Sequence, residues 1–113
     1  ADVVLSLDAT KAVATMETIA AATNGQMADL IINCVNIPGT EMGSILAAKD
    51  GGTVYFFSMA TSFTAAALGA EGVGKEVNML IGNGYTKGHA AIALEVLREN
   101  PKLYQFFLDN YVK

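Results

Sequence analysis

Four short apolar runs, each closed off by turn formers, constrain this chain more than any other feature. They are Val3-Val4-Leu5-Ser6-Leu7, Leu30-Ile31-Ile32-Asn33-Cys34-Val35, Val54-Tyr55-Phe56-Phe57-Ser58-Met59 and Val77-Asn78-Met79-Leu80-Ile81. Each is rich in β-branched or aromatic residues, and the second and third barely alternate with polar ones. A strand with one face in water alternates, whereas near-continuous apolar runs belong to strands covered on both faces.

Between the runs the apolar period becomes helical. Residues 10–23 place Val13, Met16, Ile19 and Ala20 on one stripe, with Thr10 as the expected N-cap and Asn24-Gly25 as the expected stop. Residues 40–49 carry Met42, Ile45 and Leu46 and are expected to end at Gly51-Gly52. Residues 86–99 carry Ile92, Val96 and Leu97 on one face, and Pro101 suits the first turn of a last helix with Leu103, Phe106 and Phe107 inward. Residues 60–76, with Gly69, Gly72 and Gly74, read as the one long loop. Strand-helix alternation of this kind predicts an α/β fold. The expected form is a parallel sheet of about four strands with flanking helices, in a single unit spanning residues 1–113.

Composition excludes several classes of function. With 52% hydrophobic and 16% charged residues, the chain has ample apolar surface to offset the ordering entropy, so disorder is excluded. The same balance suits a doubly covered sheet or a surface built to meet another. No apolar run approaches the roughly 20 residues of a membrane helix, and no basic leader precedes an apolar stretch. Seven basic residues spread singly through a chain of net charge −4 make no phosphate-tracking stripe, so no nucleic-acid partner is expected. Cys34 stands alone, which points to a reducing, cytoplasmic setting, and its place inside a strand predicts a small buried hydrophobe. Ala1 is not a methionine, so a processed or internal boundary is expected there.

Chemistry in an open parallel sheet gathers beyond the carboxyl ends of the strands. Here those ends read Val35-Asn36, Phe57-Ser58-Met59 and Gly82-Asn83-Gly84. Asn36, Ser58 and Asn83 could offer amide or hydroxyl bonds to a ribose or a carboxamide, as could backbone groups at Val35, Met59 and Gly82. The same residues could equally do no more than turn the chain. No catalytic acid or base is assignable. His89, the single histidine, falls near the start of a helix and suits a solvent-facing first turn, and one cysteine with one histidine builds no zinc site. Met16, Met42, Met59 and Met79 read as core packing. Neither Gly82-x-Gly84 nor Gly69-x-x-Gly72-x-Gly74 sits between a first strand and a helix, the order a pyrophosphate turn needs.

The wording of these segments resembles the medium-chain dehydrogenase superfamily. Asp29 opens the second run as an Asp opens that family's fourth strand, Gly51-Gly52 precedes the third run, and Ile81-Gly82-Asn83-Gly84-Tyr85 closes the fourth. Ala1-Asp2-Val3-Val4 is similar to the family's third strand. Within the superfamily, Asn36-Ile37-Pro38-Gly39-Thr40-Glu41-Met42 and Phe57-Ser58-Met59-Ala60-Thr61 look like an amine-oxidising branch that works on a diamino acid in lysine fermentation. The resemblance implies a partial Rossmann-type sheet and an NAD- or NADP-linked oxidative deamination. In that reaction a hydride leaves the carbon bearing the 3-amino group, and water converts the imine to a 3-oxo acid with loss of ammonia. It also implies that Val35 and Asn36 lie near the nicotinamide-side ribose and that Phe57, Ser58 and Met59 flank the nicotinamide. Gly82 and Asn83 would meet cofactor and partner subunit, and Val77 to Ile81 would form a homo-oligomer edge.

The family's first two strands, phosphate turn and catalytic lobe have no counterpart in these residues. The expectation is therefore a fragment, inactive alone and prone to self-association. A self-standing oligomerising α/β module without catalysis, or a small flavodoxin-like regulator, are the alternatives.

Overall fold

The computed structural model describes residues 1–82, 84 and 86–112. Contacts divide the chain into two units, Ala1–Asn83 and Gly84–Lys113, each taken by itself below.

The first unit contains helix α1 (Ala12–Ala22), strand β1 (Ala28–Asn33), helix α2 (Glu41–Ala47), strand β2 (Ala48–Phe56), helix α3 (Phe63–Val73) and strand β3 (Asn78–Ile81). The sheet order is β1-β2-β3, and both pairs are parallel. Three of the four apolar runs are thus strands of one parallel sheet. The first is not. Val3, Val4, Leu5 and Leu7 are exposed and outside any ladder, because no neighbouring edge in this unit takes their backbone groups.

Register decides what each face of the sheet meets. Ile31 pairs with Val54, which pairs with Met79. These residues and Phe56 point toward the helices, where Ile45, Ala48, Val54, Phe56 and Ala66 form the buried core. One row along, Ile32 pairs with Tyr55 and Tyr55 with Leu80. That opposite face carries Leu30, Ile32 and Leu80 at 58%, 59% and 53% exposure, beside a Tyr55–Phe57 ring stack at 6.0 Å. No described element of the unit covers it. The lack of polar alternation reported two-sided burial, and the structure supplies one of the two layers.

Two glycines make the helix-to-strand passage possible. Gly51 has φ +80°, a left-handed conformation that a side chain disfavours. Gly52 is buried, and a Cβ there would lie 2.8 Å from the Lys49 carbonyl oxygen and 3.0 Å from that of Asp29. The pairing is irregular at this point, jumping from Ala28↔Ala48 to Leu30↔Thr53. The Gly-Gly pair therefore shapes the early part of β2 and does not end α2, which stops earlier at Ala47.

Residues 60–76 also depart from expectation, since most of them form α3. The Ser62 hydroxyl caps it by accepting from the Ala65 N–H at 3.2 Å, and Gly74 closes it in the left-handed region. Glycine looked like a loop marker here, but Gly69 is a packing residue: a Cβ would sit 3.3 Å from Ile45 Cδ1 and 3.4 Å from Met42 Cε. Close approach of α3 to α2 outweighs the intrinsic helix cost of a glycine, about 1 kcal/mol. At the other end of the unit, Lys11 and not Thr10 is the N-cap residue of α1, because Thr10 is engaged by Asp8. The Asn24-Gly25 stop is as read, with Gly25 N–H donating to the Ala20 carbonyl at 2.7 Å.

The second unit is a pair of helices, α4 (His89–Glu99) and α5 (Pro101–Tyr111). Pro101 opens α5 as expected. Leu103, Phe106 and Phe107, read as inward-facing, are 38–51% exposed. Two helices alone cannot enclose a core, so Phe106, Phe107 and Tyr111 pack on one another, with ring centroids 5.5–6.3 Å apart. Among the described residues, no helix is long and apolar enough to cross a membrane.

Candidate functional site

Because β1, β2 and β3 are parallel, they end on one side of the sheet, at Asn33, Phe56 and Ile81. Four of the candidate residues that follow are joined to these ends by hydrogen bonds from their backbone N–H groups. Phe57 N–H and Ser58 N–H both donate to the Asn33 carbonyl, at 3.0 and 3.3 Å. Gly82 N–H donates to the Phe56 carbonyl at 3.2 Å. Val35 N–H donates to the Asn33 side-chain oxygen at 3.0 Å. Val35, Phe57, Ser58 and Gly82 therefore form one hydrogen-bonded row along the carboxyl rim.

Asn36 follows Val35 into an exposed loop. Ser58 is half-buried, and its Oγ accepts from the Ala60 N–H at 3.1 Å, which turns the chain toward α3. Met59 is 84% exposed, so its expected core role is wrong: the turn at Ser58 carries it off the sheet. Cys34, expected to be buried inside a strand, is exposed one residue beyond the end of β1. A Cβ at Gly82 would meet Tyr55 Oη at 3.4 Å, an ordinary contact. Asn83 lies outside the described residues. His89 belongs to the second unit, where its Nδ1 is 2.8 Å from the Thr86 carbonyl oxygen. Among the described residues, no group of three or more His, Cys, Asp or Glu side chains is placed to hold a metal ion.

The residue that organises the rim, Asn33, was counted in the sequence as part of an apolar run. Its Nδ2 donates to Thr40 Oγ1 and Ser44 Oγ, both at 2.9 Å, while its Oδ1 holds Val35. Ser44 in turn donates to the Thr40 carbonyl at 3.1 Å. Beside it, Glu41 Oε1 accepts from the Ser62 N–H at 2.8 Å. Alternation placed Asn33 on the same face as Ile31, toward the helices. A polar residue there needs buried partners, and Thr40 and Ser44, seven and eleven residues on, were the available ones.

A cavity of about 220 Å³ lies along the free side of β1, among Leu7, Ile31, Val35, Thr40 and Gly43. Thr15 lines it too, with a buried hydroxyl that has no hydrogen-bond partner among the described residues.

No protein-family model matches the chain. It is similar to L-erythro-3,5-diaminohexanoate dehydrogenase of Acetoanaerobium sticklandii, with 64% identity over 111 residues, covering 98% of this chain and 32% of that protein. The protein of the same name from Fusobacterium nucleatum subsp. nucleatum is 52% identical over 105 residues, covering 93% of this chain and 30% of its own length. The chain therefore spans about a third of the length of the curated relatives it matches. Both are diamino-acid dehydrogenases by name, in keeping with the amine-oxidising branch that Asn36–Met42 and Phe57–Thr61 resemble.

Proposed function

We propose that this chain is the coenzyme-rim portion of a longer NAD- or NADP-dependent dehydrogenase that deaminates 3,5-diaminohexanoate oxidatively in lysine fermentation. The observation that carries the reading is the single row formed by Val35, Phe57, Ser58 and Gly82 at the carboxyl ends of three parallel strands. Open parallel sheets bind ligands at that end. Identity of 64% across nearly all of the chain supports the choice of substrate.

The residues present suit part of a dinucleotide. Exposed Asn36 and half-buried Ser58, with rim backbone groups beside them, match the neutral hydrogen bonding of a ribose and a carboxamide. Phe57 and Met59, and Asn83 outside the described residues, belong to the same proposed set. A diphosphate needs a glycine-rich turn in G-x-G-x-x-G order feeding a helix, and neither the β1-to-α2 nor the β2-to-α3 passage has one. The coenzyme, when bound, supplies the hydride acceptor; this chain's residues orient it and shield one side. The rest of the binding and the substrate lobe belong to the remainder of the longer polypeptide.

Homo-oligomerisation through Val77 to Ile81 is part of the proposal, since β3 stands at an edge of the sheet and an apolar edge invites pairing. The bare face of Leu30, Ile32 and Leu80 is the observation that favours the second reading, a self-standing oligomerising module. NADH fluorescence titration separates the two. The longer polypeptide should bind NADH and reduce NAD or NADP with 3,5-diaminohexanoate, while the 113-residue chain alone should do neither. A longer polypeptide that binds no nicotinamide dinucleotide would refute the coenzyme reading.

A further inference from the structure

Among the described residues, buried polar side chains are few, and three of the four stand together at the carboxyl rim. Asn33, Thr40 and Glu41 are 5%, 4% and 4% exposed; the fourth, Thr15, faces the cavity beside β1. Burying polar and charged groups costs free energy, and a fully partnered network fixes one arrangement of the chain around it. The arrangement fixed here is that of two loops, residues 34–40 after β1 and residues 57–62 after β2.

Each loop is held at both ends, and the holding groups meet at the first turn of α2. The loop after β1 begins with Val35 N–H on Asn33 Oδ1 and ends with Thr40 Oγ1 on Asn33 Nδ2. The loop after β2 begins with Phe57 and Ser58 N–H on the Asn33 carbonyl and ends with Ser62 N–H on Glu41 Oε1. Thr40 and Glu41 are adjacent, so the far ends of the two loops are tied to neighbouring residues while the near ends share Asn33.

We propose that Asn33 and Glu41 are positioning residues: together they set the separation of the two rim loops and thereby the affinity of the rim for the nicotinamide half of the coenzyme. This rests on the coenzyme reading above. Neither residue needs to touch the coenzyme. The Asn33 side-chain amide fixes where Val35 leaves the sheet and how close Thr40 stands to it, and the Glu41 carboxylate fixes how far the Ser58–Ser62 segment stands from Thr40.

The test uses the full-length polypeptide, with NADH titrated by fluorescence and coenzyme KM and kcat measured separately. Glu41→Ala is expected to raise coenzyme Kd and KM about tenfold while kcat changes less than about twofold, the pattern of lost uniform binding. Glu41→Gln keeps an oxygen for the Ser62 N–H and is expected to restore most of that affinity. The double variant Thr40→Val, Ser44→Ala removes both side-chain acceptors from Asn33 without touching Glu41, and should shift coenzyme KM the same way; it decides the matter alone if Glu41→Ala does not fold. A lower melting temperature with unchanged coenzyme KM, or a Gln variant as impaired as Ala, overturns the proposal. Failure of the unsubstituted polypeptide to bind either NADH or NADPH overturns the coenzyme reading with it, whereas binding that all variants retain overturns only the positioning role.

Discussion

Replacing Gly52 by alanine should be the most costly single-methyl addition in the sheet, and the cost can be worked from the geometry. The new Cβ would lie 2.8, 3.0 and 3.2 Å from the carbonyl oxygens of Lys49, Asp29 and Ala28. All three are backbone atoms, so no rotamer change relieves the overlap, and β2 must move away from β1 at the irregular start of their pairing. Overpacking of this kind costs about 1–3 kcal/mol. The smaller unfolded-state entropy of alanine returns about 0.4–1 kcal/mol, leaving a net loss of about 1–2 kcal/mol. Gly51 is the internal control. A Cβ there meets nothing within 4 Å, and only its φ of +80° penalises a side chain. That penalty of about 1–2 kcal/mol, offset by the same entropy gain, leaves about 0.5–1 kcal/mol. The chain has no tryptophan, so urea unfolding is best followed by far-UV circular dichroism. With a slope near 1 kcal/mol per molar urea, Gly52→Ala should lower the midpoint by about 1–2 M and Gly51→Ala by about half as much. A Gly52→Ala midpoint equal to or above that of Gly51→Ala would refute the close-contact account of the bulge.

The remaining predictions follow from single contacts. Phe56→Ala empties the largest fully buried side chain and should cost about 3–5 kcal/mol in the same urea experiment, enough to unfold much of the population. Ser62→Ala removes the side-chain cap of α3 and should cost about 1 kcal/mol, read as faster amide exchange over Phe63–Ala66 with β1 unaffected. The Asp8 carboxyl is held below its ordinary value, first by the Thr10 hydroxyl at 2.6 Å and then by the Thr10 N–H at 3.0 Å. A depressed folded-state pKa stabilises above the unfolded value of about 3.9 and is lost as pH falls through the folded one. Thr10→Val should therefore move the Asp8 carboxyl titration, followed by NMR, upward toward that ordinary value. Pairing Leu30→Lys with Leu80→Glu on the bare face should reduce self-association in light scattering without lowering the urea midpoint, because neither side chain contributes to the core.

The sheet was legible because its signal is redundant. Ile31, Val54 and Met79 each lie within apolar runs whose length, flanking turns and lack of alternation all agree. The first run carried the same local signal but lacks a ladder, since a strand exists only where another edge takes its hydrogen bonds, and that edge is a tertiary fact. Helix α3 was missed for the opposite reason. Gly69, Gly72 and Gly74 argued for a loop, yet one packs against α2, one is tolerated on an exposed face and one caps the end. At the rim, Val35, Phe57, Ser58 and Gly82 could be placed from strand polarity alone. Asn33 and Glu41 could not, because their roles depend on contacts to Ser44 and Ser62, 11 and 21 residues away in sequence.

A parallel sheet with the helices of its own unit on one side is an incomplete solvent boundary within that unit. Burying a large aliphatic side chain contributes about 1.5–3 kcal/mol, and Leu30, Ile32 and Leu80 forgo more than half of theirs. The polar rim is finished by comparison, with Asn33 bonded through its amide and carbonyl groups and Glu41 joined to the next loop. Buried polar networks are costly unless fully partnered, so this end carries its own reason to be ordered. A self-standing assembly module has need of the apolar face but none of a precisely spaced pair of loops. A coenzyme rim within a longer dehydrogenase has need of both: the loops to hold one half of a dinucleotide, and the face to receive a layer of the same polypeptide. That asymmetry between a completed polar edge and an uncovered apolar face is the physical ground for preferring the dehydrogenase reading.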